Sequence, residues 1–133
     1  MPSVEADRDP IHLFEVGEEY FFAHFCERTD VFEHLADFYK DDEFRFEIPS
    51  SELDAVCDYL RDQWFEPVIV EDVEPFCVVK EQYTKHAEIL KRSVMHWARR
   101  EYNFFVMKDP IAVDRAVELG ATRIEDTDLV VGL

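Results

Sequence analysis

Five histidines (His12, His24, His34, His86, His96), three cysteines (Cys26, Cys57, Cys77) and four serines (Ser3, Ser50, Ser51, Ser93) are the side chains with which this chain of 133 residues would ligate a metal or attack a substrate. Their spacing is uninformative for metal chemistry. There is no H-x-x-x-H, no H-E-x-x-H and no C-x-x-C, the patterns that bring ligands together on one helix face or knuckle. The nearest set is His24-x-Cys26, which share one face of an expected strand, with His34 a helix away. Cys77 on an expected strand and His86 in the next helix would make one thiol–imidazole pair. The plainer reading is preferred for both: the thiols are small buried hydrophobes and the imidazoles sit at the core edge. No metal and no cofactor is expected.

Other chemistries fare no better. Only three glycines occur (Gly17, Gly120, Gly132), so the phosphate-cradling loops G-x-x-x-x-G-K-[ST] and G-x-G-x-x-G, and the nucleophile turn G-x-S-x-G, are all missing. Glu125-Asp126-Thr127-Asp128 offers oxygens to a hard cation, but such runs arise readily among 31 acids, and a solvated turn is the better reading. Asp72 and Lys80 suggest a nuclease arrangement on neighbouring strands. It fails at Val78, where a metal-holding carboxylate is required.

One segment departs from the rest. Residues 80–100 hold Lys80, Lys85, Lys91, Arg92, Arg99 and Arg100 against Glu81 and Glu88, 6 − 2 = +4 in a chain of net charge −17. On a helix from Gln82 to Arg100, Lys85, Arg92, His96 and Arg99 fall on one face, and Glu88 can pair with Arg92 one turn on. These four are the candidate partner-binding residues. The face either answers the chain's own carboxylates or docks an acidic protein or a second copy of the chain. Nucleic acid ranks last, because the surrounding acids repel phosphate.

The acid excess, 31 Asp and Glu against nine Arg and five Lys, is spread along the chain. With one Asn and two Gln, it resembles the composition of proteins from salt-loving organisms. At molar salt the Debye length is about 3 Å, so surface carboxylates hardly repel one another. The alternative is an acidic face kept for a basic partner. An odd number of cysteines and the polar start MPSVEADRDP point to a reducing cytoplasm. The longest apolar runs are too short to cross a membrane.

Elements follow from periodicity and caps. Residues 1–9 read as a flexible polar tail, and 10–133 as a single α+β domain. Residues 11–26 read as a hairpin turning near Gly17, in preference to a helix opened by Asp9 and Pro10. Asp30–Lys40 is a helix with a capping box to Glu33, and Phe44–Ile48 a strand. Ser50 or Ser51 caps a helix to Trp64, with Leu53, Val56, Cys57, Leu60 and Trp64 inward. Residues 67–71 and 76–80 are paired or neighbouring strands. Gln82–Arg100 is the longest helix and Tyr102–Met107 a strand. Asp109-Pro110 opens a helix that Gly120 closes, and Thr122–Glu125 and Leu129–Val131 end the chain as short strands.

From 44 to 107 the order is β-α-β-β-α-β. That is the order of a ferredoxin-like core, a mostly antiparallel sheet with helices on one face, here extended at both ends. Adjacent Phe104 and Phe105 must point to opposite faces, so the sheet needs a second layer, from the N-terminal segment or from a dimer. The residues favour a non-catalytic binding or regulatory module in a high-salt cytoplasm, acting through protein contacts. Two alternatives stand beside it: an acidic, immunity-like inhibitor of a basic partner, and a small enzyme with a Cys/His site.

Overall fold

A computed structural model describes residues 9–23 and 29–131. The expected polar tail over 1–9 lies almost wholly outside them, as do His24 and Cys26. The chain divides into two compact units, residues 1–71 and 72–133, each with its own sheet.

In the first unit, β1 (Asp9–Val16) and β2 (Glu19–Phe22) form the expected hairpin. Its two-residue turn needs a positive φ, and Gly17 supplies one at +64°. Then come α1 (Thr29–Leu35), β3 (Tyr39–Lys40), β4 (Arg45–Pro49), α2 (Leu53–Asp62) and β5 (Phe65–Val70). The strand order is β3-β4-β2-β1-β5. Every neighbouring pair is antiparallel except β1 and β5. Period-two alternation puts Ile11, Leu13, Phe22, Phe46 and Ile48 on one face, where they meet Val31 and Leu35 of α1 and Val56 and Leu60 of α2. Phe22 and Phe46 stack there at 4.7 Å. Neither Ser50 nor Ser51 caps the helix, whose first flanking residue is Glu52. Ser50–Glu52 form a 3-10 turn, and Ser50 Oγ donates to the Glu18 carbonyl at 2.5 Å. Trp64, expected in the buried stripe, lies beyond the helix end at φ +68° and is exposed.

The second unit runs β6 (Cys77–Glu81), α3 (Ala87–Leu90), β7 (Ser93–Arg99), β8 (Tyr102–Met107), α4 (Pro110–Glu118) and β9 (Thr122–Arg123). The order is β7-β8-β6-β9, antiparallel throughout. The expected β-α-β-β-α-β run over 44–107 is therefore not one sheet: residues 45–70 belong to the first and 77–107 to the second. Val78, Phe105 and Met107 face Ile89 of α3 and Ala112, Val113 and Ala116 of α4. Cys77, Val79 and Phe104 face the other way, against Ile124, Leu129 and Val131. Phe104 and Phe105 do point to opposite faces. Within the unit, residues 124–131 supply a layer over the Phe104 face.

The long helix over 82–100 does not form. Tyr83 takes φ +69°, which no helix continues through, and only four residues of α3 are helical. From Ser93 the chain pairs with β8, Trp97 opposite Phe104 and Arg99 opposite Tyr102. Pairing sets Trp97 against Phe104 and His96 against Phe105, and such cross-strand packing outweighs the helical spacing of the segment. Residues 129–131 are not a strand either.

α4 is built as its sequence requires: Asp109 Oδ1 accepts from the Ala112 N–H at 2.7 Å, with Pro110 at the first helical position. Asp109→Ala should cost about 1 kcal/mol in urea unfolding, and Asp109→Ser should recover most of it.

Candidate binding surface

The four expected docking residues do not share a face. Lys85 is exposed in the turn between β6 and α3. Arg92 follows α3, and its guanidinium reaches the Glu88 carbonyl at 3.3 Å and carboxylate at 3.5 Å, the pairing the spacing implied. Lys91 binds the same carboxylate at 3.1 Å. Its hydrogen bond and charge, with Arg92's behind them, hold Glu88 below the usual carboxylate range. His96 and Arg99 both lie on β7, three residues apart, so strand alternation sends them to opposite faces. The His96 ring lies 6.4 Å from that of Phe105. The Arg99 guanidinium lies 4.6 Å over Phe104 and donates to the carbonyls of Val130 and Val131.

A different group gathers at one end of the sheet, where β6 ends and β7 turns into β8. The Gln82 N–H donates to the Glu101 carbonyl at 2.8 Å, and its side-chain amide to the Arg100 carbonyl at 3.0 Å. Thr84 Oγ1 donates to the Glu81 carbonyl at 2.6 Å. Lys80 Nζ crosses to the carbonyls of Lys85, at 2.5 Å, and Leu119, at 3.3 Å. These bonds fix a turn that carries Tyr83 entirely in solvent, 100% exposed. Tyr83 and Arg100 both hold positive φ, at +69° and +59°, a costly backbone for a residue with a side chain. Beside the turn opens a pocket of about 500 Å³, lined by Val79, Lys80, Glu81, Thr84, Tyr102 and Leu129 among others. Tyr83 falls inside the expected helix over Gln82–Arg100. The hydrophobic pattern held no signal of its exposure.

Charge is divided unequally. Residues 1–71 carry 20 acids and 5 bases, 5 − 20 = −15, whereas residues 72–133 carry 11 acids and 9 bases, 9 − 11 = −2. Among the described residues most cations have a carboxylate partner, for example Arg45 with Glu47, Arg61 with Asp58, Arg115 with Glu118 and Arg123 with Asp114. Lys40, Lys80, Lys85, Arg99 and Arg100 form no ion pair among the described residues, and of these Lys80 and Arg99 are used on main-chain carbonyls.

The thiols are poorly placed for chemistry. Burial pushes Cys57 up, and pushes Cys77 to about 12, with the Glu74 charge adding to it. Cys77 packs with Phe104. The His86 ring contacts Phe105, on the opposite face, at 5.6 Å, and its Nδ1 lies 3.0 Å from the Thr84 carbonyl. The sheet thus separates Cys77 from His86. Among the described residues no three His, Cys, Asp or Glu side chains are placed to hold a metal ion. No helix is long and apolar enough to cross a membrane. Comparison with protein-family models, with curated proteins and with solved structures found no match.

The Cys77 thiol stays protonated in the fold up to about pH 12, whereas in the unfolded chain it ionises above about pH 8.5. Between these values the unfolded state has lost a proton that the native state keeps, so stability falls as pH rises, by up to about 1.4 kcal/mol per pH unit. Melting wild type and Cys77→Ala from pH 8 to pH 11 should show the steeper fall in wild type. Equal slopes would contradict the buried, neutral thiol.

Proposed function

We propose that this chain is a non-catalytic binding module that acts through protein contacts in a high-salt cytoplasm, and that its docking surface is the turn end of the second unit: Tyr83, Lys85 and Arg100. The unequal division of acids carries this reading. Adaptation to concentrated salt acidifies whatever surface meets the solvent. A unit of net charge −2 beside one of −15 is then a unit whose surface meets something else. Cations without carboxylate partners, set around a fully exposed tyrosine, suit an acidic protein surface, a second copy included. Of the residues first singled out, Lys85 stays in this surface. Arg92 is answered by Glu88, Arg99 is used within the unit, and His96 stands on the helix-side face.

The β-α-β-β-α-β order of residues 77–123, with β6 and β8 central, supports a ferredoxin-like reading of this unit, a fold compatible with many functions. One second reading has its own observation. Asp54, Asp58 and Asp62 form an exposed acidic stripe along α2, within the unit that holds most of the acids, which suits an inhibitor-like cover for a basic partner.

A photo-crosslinking residue at position 83, compared with one at position 62, separates these readings in cells. Adducts at 83 that vanish with Arg100→Glu and Lys85→Glu support docking at the turn. Adducts at 62 with none at 83 support the acidic stripe and overturn the first reading.

A further inference from the structure

On the sheet face of the second unit turned away from α3 and α4, Trp97, Tyr102 and Phe104 form an apolar floor with Cys77 and Val79. Its cover is neither helix nor strand. It is a 3-10 turn at Ile124–Asp126 followed by residues 127–131 in irregular conformation. Leu129 and Val131 pack on the floor, and Val130 between them is 68% exposed. That is the alternation of an extended strand, yet no ladder holds it. Among the described residues, the hydrogen bonds that join the main chain of 129–131 to the sheet come from one side chain, Arg99. The Leu129 N–H is used locally, on Thr127 Oγ1 at 3.1 Å. Arg99 is itself fixed against Phe104, on which Trp97 stacks at 5.4 Å.

We propose that this groove is a receptor for an extended apolar peptide, and that Leu129–Val131 occupy it in cis. The partner in trans is a protein segment of the same chemistry, with large aliphatic residues at i and i+2 and two main-chain carbonyls free for Arg99. A guanidinium fork binds carbonyls whatever the sequence, and the two floor positions choose the side chains. This divides affinity and specificity as strand-like peptide recognition does. Leu129 also borders the pocket of about 500 Å³ beside the Tyr83 turn. Tethering gives the cis segment an effective concentration on the order of millimolar, so a partner must exceed it or the segment must be weakened. This goes beyond the docking surface at Tyr83 and does not rest on it: either can fail while the other holds.

Trp97 reports on the groove. In a Trp64→Phe background it is the sole tryptophan. Leu129→Asp with Val131→Asp should expose it, raising its quenching by iodide severalfold while circular dichroism stays native. Millimolar acetylated peptide Asp-Thr-Asp-Leu-Val-Val-Gly-Leu, the sequence of residues 126–133, should restore the shielding, and should fail to do so when Arg99→Gln is added. If the double variant does not fold, Val131→Ala takes its place in the same comparison. No shielding by the peptide in a folded, opened variant overturns the proposal, as does equal shielding with Arg99→Gln.

Discussion

Two neighbouring phenylalanines on β8, Phe104 and Phe105, are almost fully buried on opposite faces of one sheet. Full burial of each is worth roughly 1.5–3 kcal/mol, against a total stability for a domain of about 5–15 kcal/mol. The second unit therefore needs a cover on both sides. On one side the cover is α4 with Ile89 of α3. That requires the link from β6 to β7 to cross the helix-side face, and leaves only four helical residues in it. On the other side the cover is residues 124–131, and Arg99 is drawn inward to hold them. The local structure of the basic segment is thus a consequence of its neighbours' burial, not of its own charge.

The same logic separates the cations by use. Arg99 and Lys80 tie main-chain carbonyls, and Arg92 and Lys91 answer Glu88. Three described cations are left without such a partner: Lys40 in the first unit, and Lys85 and Arg100 near Tyr83 in the second. Exposed ion pairs contribute little to stability, so leaving these charges unpaired costs the fold little. The acids have a different logic. They fill solvent positions on α1, α2 and the turns of the first unit, where their mutual repulsion depends on the ionic strength around them.

Much of the element pattern was legible. The Gly17 hairpin, the helix opened by Asp109-Pro110, and the alternation that splits Phe104 from Phe105 are local rules, and each holds. Cys57 and Cys77 are buried, as small apolar thiols suggested. The failures share a cause. Residues 82–100 satisfy a helical spacing, and only the long-range pairing of β7 with β8 decides against it. The helix stripe through Trp64 fails where the chain reverses at positive φ, which a tryptophan does not announce. The break between the two sheets falls in the short polar link Asp72–Pro75, which reads equally well as a hairpin turn. A site assembled from the ends of three strands, such as the Tyr83 turn and its pocket, leaves no spacing in the sequence to find.

The division of charge is tested most directly by neutralising equal numbers of acids in each unit. Glu33, Asp37, Asp54 and Asp62 would be changed to their amides in one variant, and Glu101, Glu125, Asp126 and Asp128 in another. The unfolding midpoint of each is then followed by circular dichroism from about 0.1 to 3 M KCl, a range over which the Debye length falls from about 10 Å to under 3 Å. If self-repulsion resides in the first unit, the first variant loses most of the salt dependence and the second keeps it. Equal loss in both would mean that the acids act as one evenly spread solvent adaptation, and that the second unit's near-neutral surface marks no partner.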